Sequence, residues 1–177
     1  FTSTEYQLLP ARQTDGQFQV FAPRAKDVEY YVEHHKQKFI VRLKDDNNKN
    51  YKIMEAPLKG YSDKKNWKDL IAHDPKVMIE DVEVFDQFLA IGVRSNGLQE
   101  LRVMNLKDGS IKPVSFPEPV YTVFSSSNAD YASTKLRYGY MSLNRPNSVY
   151  DYDMTTGKSD LLKQQEIPSG FNPDDYE

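Results

Sequence analysis

Two hexapeptides, Asn105-Leu-Lys-Asp-Gly-Ser110 and Asp153-Met-Thr-Thr-Gly-Lys158, align residue for residue. Each follows a run rich in β-forming residues and precedes another short run of the same kind. Gly16 and Gly60 extend the series, so that its four glycines are 44, 49 and 48 residues apart. A period of about 40 to 50 residues with four short strands in each repeat is typical of the blades of a β-propeller.

The runs between these turns predict short strands. Strands at 5–9 and 17–21 make half a blade, joined through Asp15-Gly16, a dipeptide that readily supplies the positive φ of a tight turn. The next unit has strands at 28–32, 38–43 and 51–55, and an insertion with a helical turn near Trp67 displaces its fourth strand to 70–71. The later units have strands at 77–85, 88–93, 98–105 and 111–116, then at 120–125, 136–142, 148–153 and 160–164.

The sequence therefore predicts an all-β fold, a partial β-propeller of about three and a half four-stranded antiparallel blades. The predicted divisions are a half blade of two outer strands at 1–24, a blade with an insertion at 25–74, a blade at 75–117, the last blade at 118–167 and a linker at 168–177. A complete four-bladed propeller and a two-sheet sandwich remain alternatives. The exposed edges of the half blade at 5–21 predict self-association between copies.

Composition excludes several classes of partner. Lys and Arg total 23 against 26 Asp and Glu, and the basic residues cluster only at Lys64-Lys65, so no nucleic acid is expected to bind. The chain has no cysteine, which excludes disulfides and thiolate-bound metals. No apolar run approaches the roughly 20 residues of a spanning helix, so no membrane contact is expected.

Nucleophilic hydrolysis requires a nucleophile, a base and an orienting carboxylate. No G-x-S-x-G elbow occurs in the chain. His34 and His35 lie at a predicted hairpin and His73 precedes Asp74-Pro75, a pattern that favours surface or turn histidines. We therefore assign no catalytic residue.

The loop Asp45-Asp-Asn-Asn-Lys-Asn50 concentrates oxygen ligands that could bind a metal. Counted from Asp46 as an EF-hand loop, however, the sixth position is Tyr51 instead of Gly and the twelfth is Pro57 instead of Glu. Asp and Asn also stabilise turns through their own backbone, so the loop predicts a plain hairpin turn. No metal-binding or cofactor-binding residue is assigned.

Two further clusters have structural interpretations. Alternation along Glu80-Asp-Val-Glu83 places neighbouring carboxylates on opposite faces of a strand and favours a solvated strand end over paired acid-base residues. The aromatic residues Tyr30, Tyr31, Phe39 and Tyr51 are attributed to core packing because no basic groove for stacked bases accompanies them.

The amino-acid sequence of the repeats resembles that of the propeller domain in the oligopeptidase B (protease II) branch of the prolyl oligopeptidase family. The resemblance covers essentially the whole chain. The matching stretches include Leu136-Arg-Tyr-Gly-Tyr140, Val149-Tyr-Asp-Tyr-Asp-Met154, Phe18-Gln-Val-Phe-Ala-Pro-Arg24 and Trp67-Lys-Asp-Leu-Ile-Ala-His73, together with residues 28–35, 38–42, 77–80, 96–103, 161–166 and 171–176.

This resemblance implies a seven-bladed parent propeller joined to an α/β-hydrolase domain of the same chain, whose Ser-Asp-His triad is expected beyond Glu177. It implies a cytoplasmic serine oligopeptidase that cleaves short basic peptides after Arg or Lys. The propeller would gate access of substrate, and the fragment itself would be catalytically inert. No cofactor is expected. The alternative is a free-standing β-rich module that binds a protein or peptide by strand addition.

Overall fold

The computed structural model of the protein describes residues 2–13, 15–170 and 172. Apart from one 3₁₀ turn at Lys64–Asn66, the regular secondary structure of this part is β. The strands are β1 (Gln7–Leu8), β2 (Gln19–Val20), β3 (Glu29–His35), β4 (Lys38–Lys44), β5 (Lys52–Pro57), β6 (Lys68–Ile71), β7 (Val77–Val84), β8 (Phe88–Ser95), β9 (Leu98–Asn105), β10 (Ile111–Pro113), β11 (Tyr121–Ser125), β12 (Lys135–Ser142), β13 (Arg145–Asp153) and β14 (Lys158–Gln164).

Each strand pairs with its neighbour along the chain, and the strands form four antiparallel sheets. The half sheet is β1-β2, the first sheet is β3-β4-β5-β6, the second is β7-β8-β9-β10 and the third is β11-β12-β13-β14. Three four-stranded sheets and one two-stranded sheet confirm the predicted all-β fold of about three and a half blade-like units. Within the described residues, no helix has the length and apolar character that crossing a bilayer requires.

The chain divides into two compact units between Met78 and Ile79. In the first unit, aromatic and aliphatic residues of the half sheet and the first sheet form one core around Tyr30, Phe21 and Trp67. Phe21 is fully buried, and its ring stacks on Tyr61 with centroids 4.9 Å apart. The insertion that the sequence places around Trp67 therefore supplies part of this core.

In the second unit, one face of the second sheet packs on one face of the third. Alternate residues of β12, Leu136, Tyr138 and Tyr140, lie in this core with Phe88 and Val103 of the second sheet. Their spacing of two is the strand period that places side chains on a single face. The tyrosine-rich strand β12 thus supplies part of the apolar surface that joins the sheets.

The repeated hexapeptides form matching turns. Gly109 and Gly157 have φ of +74° and +78°, and each donates its N–H to the first residue of its hexapeptide, at 2.8 Å to Asn105 and 2.7 Å to Asp153. Gly60 also has a positive φ, of +80°. The sequence pattern therefore predicts the backbone conformation at three of the four repeat glycines.

Gly16 is the exception: a turn forms there, with the N–H of Gly16 donating a 3.0 Å hydrogen bond to the carbonyl oxygen of Gln13, but the predicted positive φ is wrong. Its φ lies outside the left-handed region, and the register of Gln7 opposite Val20 leaves a long connection between β1 and β2. A Cβ at position 16 would lie 3.0 Å from the carbonyl oxygen of Gln13. The glycine therefore permits a close backbone approach instead of a left-handed turn.

The predicted strand at 148–153 begins earlier than expected. Ser142 pairs with Arg145, so the turn between β12 and β13 contains only Leu143 and Asn144. A register shift between Tyr140 and Ser142 accommodates this short connection. The tip side chain of Leu143 is 96% exposed.

Candidate functional site

The three histidines belong to the first unit and have different environments. His34 is exposed, whereas His35 is only 4% exposed, so the prediction of a surface histidine is wrong for His35. The reason is that adjacent residues of β3 point to opposite faces of the sheet. His73 is half-buried, and its Nε2 accepts a 3.3 Å hydrogen bond from the N–H of Asn50. That bond gives His73 a turn-stabilising role.

The loop between β4 and β5 uses its oxygens to make a turn. Oδ1 of Asp45 accepts hydrogen bonds from the N–H groups of Asn47, at 2.9 Å, and Asn48, at 3.0 Å. The side-chain amide of Asn50 donates to the carbonyl oxygen of Pro75 at 2.8 Å. These contacts confirm the predicted turn. Over the described residues, no group of three or more His, Cys, Asp or Glu side chains is arranged to hold a metal ion.

The predicted aromatic set divides between two environments. Tyr30 and Phe39 lie in the core of the first unit, as the sequence predicts. Tyr51 is also buried, whereas Tyr31 is half-buried, and the two rings flank the guanidinium of Arg42, whose Cζ lies 4.2 Å from the centroid of Tyr31 and 4.6 Å from that of Tyr51. The sequence does not predict this cation–π arrangement, because it depends on the pairing of Tyr31 with Arg42 between β3 and β4.

Tyr51 has a strained backbone with φ of +65°. Its hydroxyl donates a 3.0 Å hydrogen bond to Glu29, which also pairs with Nζ of Lys44 at 2.7 Å. Burial and the bond to Glu29 raise the pKa of Tyr51, so this phenol stays protonated and acts as a donor. The hydrogen bond from Lys44 lowers the pKa of Glu29.

The second unit contains a cleft of about 190 Å³ between the second and third sheets. Four carboxylates lie around it, from Glu80, Asp81 and Glu83 of β7 and Glu100 of β9. Gly92 lines the cleft, and a Cβ at that position would meet the Cβ of Asp81 at 3.5 Å. The absence of a side chain at Gly92 therefore leaves part of this space open.

Three of these carboxylates have hydrogen-bond partners in the same unit. Glu80 accepts a 2.6 Å hydrogen bond from Arg94, and Glu100 pairs with Arg102 at 2.8 Å. Glu83 accepts from the hydroxyl of Ser125 on β11 and, at 2.9 Å, from the amide of Asn128.

The predicted solvated strand end is therefore accurate only for Asp81, which is exposed. Glu83 is half-buried and links β7 to β11, because its carboxylate accepts a hydrogen bond from the hydroxyl of Ser125. The lining of the cleft contains a serine but no histidine. The cleft thus presents hydrogen-bond acceptors and no nucleophile–base pair of the kind that acyl transfer requires.

A second charged cluster joins Glu118, which precedes β11, to residues of β12 and β13. Glu118 accepts hydrogen bonds from the hydroxyl of Tyr140 and from Nε of Arg145. Burial opposes ionisation of Glu118, but these two bonds outweigh it and lower the pKa of Glu118. Burial and the same bond raise the pKa of Tyr140. The cluster therefore holds a carboxylate and a neutral phenol together at neutral pH.

Comparison with known proteins identifies this arrangement of sheets. Residues 2–165 match the family described as "Prolyl oligopeptidase, N-terminal beta-propeller domain". The chain belongs to the prolyl oligopeptidase family. Its four-stranded sheets are blades of that family's β-propeller, which establishes the predicted fold class.

Relatives in the prolyl oligopeptidase family align along nearly the whole chain. The dipeptidyl aminopeptidase BI of Pseudoxanthomonas mexicana is 37% identical over 174 residues, which is 98% of this chain and 24% of that protein. Protease 2 of Moraxella lacunata is 23% identical and is covered to 24% of its length. The chain thus spans about a quarter of the relatives that it matches.

Solved structures of the same family superpose on this chain. Oligopeptidase B from Trypanosoma brucei, with covalently bound antipain in a closed form, gives a TM-score of 0.86 at 30% identity over 98% of this chain and 26% of that one. Oligopeptidase B from Leishmania major gives 0.89 at 25% identity over 99% of this chain and 26% of its own. Both carry the fold of the described sheets.

Proposed function

We propose that the chain is the propeller portion of an oligopeptidase B-like serine peptidase that cleaves short peptides after Arg or Lys. The match of residues 2–165 to the family propeller supports this function. The superposition on oligopeptidase B at 30% identity favours that branch of the family. The catalytic triad belongs to an α/β-hydrolase domain of the same polypeptide, and the propeller portion alone is inert.

The chemistry of the second unit supports an inert propeller. The cleft between its sheets has carboxylates held by Arg94, Arg102 and Ser125, and its lining includes no histidine base. A propeller that excludes bulky substrates from a hydrolase needs shape and stability and no reactive side chain.

The first experiment compares the chain alone with the full-length gene product on a blocked chromogenic peptide that ends in Arg. We expect turnover by the full-length protein, inhibition by a serine-directed reagent, and no turnover by the chain alone. Serine-inhibitor-sensitive turnover by the chain alone would overturn the proposal. A coding sequence that stops at Glu177 would instead favour a free-standing binding module.

The relative with 37% identity favours a second candidate activity, release of dipeptides from a free amino terminus. Two chromogenic substrates distinguish the candidates, one with a free amino-terminal dipeptide and one with the amino terminus blocked. An oligopeptidase hydrolyses the blocked substrate after Arg or Lys. A dipeptidyl aminopeptidase hydrolyses only the unblocked one.

Gating is tested in the full-length protein by loosening the third sheet. Leu136 is fully buried in the core of the second unit, and Leu136→Ala leaves a cavity there. We expect cleavage of a long unfolded polypeptide to rise relative to cleavage of a tripeptide substrate. Leu143→Ala, at a side chain that is 96% exposed, is the matched control and should leave this ratio unchanged. An unchanged ratio in the Leu136 variant would refute gating by this sheet.

A further inference from the structure

The outer strand of the third sheet, β14, is exposed to solvent along its whole length. All seven of its residues, Lys158–Gln164, are exposed. Among the described strands of four or more residues, β14 alone has this property. It also ends the sheet order β11-β12-β13-β14, so one of its edges has no strand beside it in the described chain. Such an edge presents backbone N–H and C=O groups that can pair with another strand.

A bulge in β14 determines which of its side chains share a face. Asp160 pairs with Asp151, and Lys163 pairs with Val149, two positions away on β13. Val149 and Asp151 are two apart on β13 and therefore point to the same face. Their partners Lys163 and Asp160 point to that face as well, although they are three apart on β14. The extra residue that allows this is Leu162, at the register shift between Val149 and Tyr150.

This pattern is complementary to itself under a two-fold axis. If β14 pairs antiparallel with β14 of a second copy, with the axis at Leu161 and Leu162, Asp160 of each copy lies opposite Lys163 of the other. Two opposite-charge contacts then form at once, as an isologous interface requires. The leucines at the axis are 51% and 49% exposed and would lose that exposure on pairing.

The charges that this pairing needs are available. The contact of Asp160 with its own neighbour Lys135 is long, at 3.9 Å, and both side chains are more than half exposed. An exposed pair of this kind contributes little to stability. Asp160 can therefore exchange Lys135 for a lysine of another copy at small cost.

We propose that β14 is a dimerisation edge, at which two copies of this chain join their third sheets into one continuous eight-stranded sheet. The occupant is a second copy because the positions of Asp160 and Lys163 match each other and no other described charge on β14 faces them in that register. This edge differs from the half blade at 5–21, from which the sequence analysis predicts self-association.

The test measures the dimer dissociation constant of the chain by sedimentation velocity over a concentration series. Asp160→Lys and Lys163→Asp each place two like-charge pairs in the interface and should raise Kd about tenfold or more. The double variant restores two opposite-charge pairs and should return Kd toward the starting value. Because both positions are exposed, far-UV circular dichroism should show an unchanged fold.

Two matched controls carry a charge change at other strand edges. Lys112→Asp lies on β10, and Val20→Lys lies on β2 of the half sheet. We expect neither to change Kd. A wild-type chain that stays monomeric at about 100 μM, well above a Kd in the micromolar range, would overturn the proposal. So would a double variant as weak as the single ones, or a larger effect of Val20→Lys, which would assign association to the half sheet.

Discussion

The hydroxyl of Tyr30 donates a hydrogen bond of 2.6 Å to the carbonyl oxygen of Ala22. The same hydroxyl oxygen accepts from the N–H groups of Tyr6, at 3.0 Å, and Ala22, at 3.3 Å. Tyr30 lies on β3 and is 1% exposed. One buried phenol thus joins the segments that flank the half sheet to the first sheet, where the strands β1 and β2 are themselves only two residues long.

Tyr30→Phe should destabilise the first unit by about 1–3 kcal/mol, because it leaves the buried carbonyl and N–H groups of Ala22 and the part-buried N–H of Tyr6 without their partner. Trp67, the single tryptophan, lies in the same core with its ring 6.3 Å from that of Tyr30. Urea unfolding followed by tryptophan fluorescence therefore reports on this unit.

Tyr31→Phe is the matched control for Tyr30→Phe. Tyr31 is the next residue of the same strand, and its contacts described above are made by its ring. We expect the control to unfold within about 0.5 kcal/mol of the parent protein, as for most substitutions outside a buried network. Equal losses in the two variants would show that the hydroxyl of Tyr30 does not link the half sheet to the first sheet.

The ring of Phe124 occupies the space where a side chain of Gly139 would stand. A Cβ at position 139 would approach Cε2 of Phe124 to 2.5 Å. Gly139→Ala should therefore cost about 1 kcal/mol, as overpacking does. In a Phe124→Ala background the same change should instead stabilise the protein by about 0.5–1 kcal/mol, because alanine loses less backbone entropy than glycine in a strand.

Urea unfolding followed by near-UV circular dichroism measures this pair of effects, since the packed tyrosines of the third sheet contribute to the signal. The four proteins of the double-mutant cycle give the coupling between positions 124 and 139 directly. Phe124 is 46% exposed, so its removal alone is expected to be mild. A Gly139→Ala effect of the same sign in both backgrounds would contradict the steric account.

Local sequence rules predicted the parts of this fold that depend on a few adjacent residues. The turns at Gly109 and Gly157 require a left-handed residue five positions into a hexapeptide, and that requirement is visible in the sequence. The positive φ predicted at Gly16 is wrong because this glycine serves a different purpose. The fold of the loop brings Gln13 and Leu9 close to its Cα, where a side chain would not fit. Dipeptide statistics contain no information on that approach.

The candidate site was less predictable than the fold. Glu83 reaches Ser125 and Asn128, which are more than 40 residues away, so no local pattern indicated that it would link two sheets. The cation–π contact of Arg42 likewise depends on the register of β3 with β4. Alternation predicted which residues share a face, but only the packing of sheets decided which face is buried.

The two repeat turns should respond alike to alanine. Gly109→Ala and Gly157→Ala each force a non-glycine residue to a φ near +75°, which costs about 1–2 kcal/mol. Their surroundings leave room for a Cβ, with nearest atoms at 4.0 Å and 3.5 Å, so the cost is one of backbone conformation. Thermal unfolding monitored by far-UV circular dichroism measures the loss.

Gly92→Ala is the control for this pair of turns. Gly92 lies in β8 with a φ outside the left-handed region, and a Cβ there makes an ordinary contact with Asp81. Alanine should be neutral or slightly stabilising at this position. A Gly92 variant that loses as much stability as the turn variants would show that the loss has a cause other than backbone conformation.

Stability at acid pH should depend on Glu118. Its pKa in the folded protein lies below the ordinary value of 4.5 because Tyr140 and Arg145 donate hydrogen bonds to the carboxylate and outweigh its burial. A carboxyl with a lowered folded pKa stabilises the protein above its unfolded pKa, and that contribution is lost as the pH falls through the folded value. The free energy of unfolding should therefore decrease as the pH falls below about 4.5.

Glu118→Gln removes this titration and should flatten the decrease below pH 4.5, while lowering stability at neutral pH because Arg145 loses its ionic partner. Urea titrations at a series of pH values measure both changes. Part of the acid slope should remain, since Arg137 also lowers the pKa of Asp151 in the same sheet. Glu166→Gln, at an exposed position after β14, should leave the slope unchanged. If Glu118→Gln leaves the whole acid slope intact, the contacts of Glu118 do not contribute to folding stability.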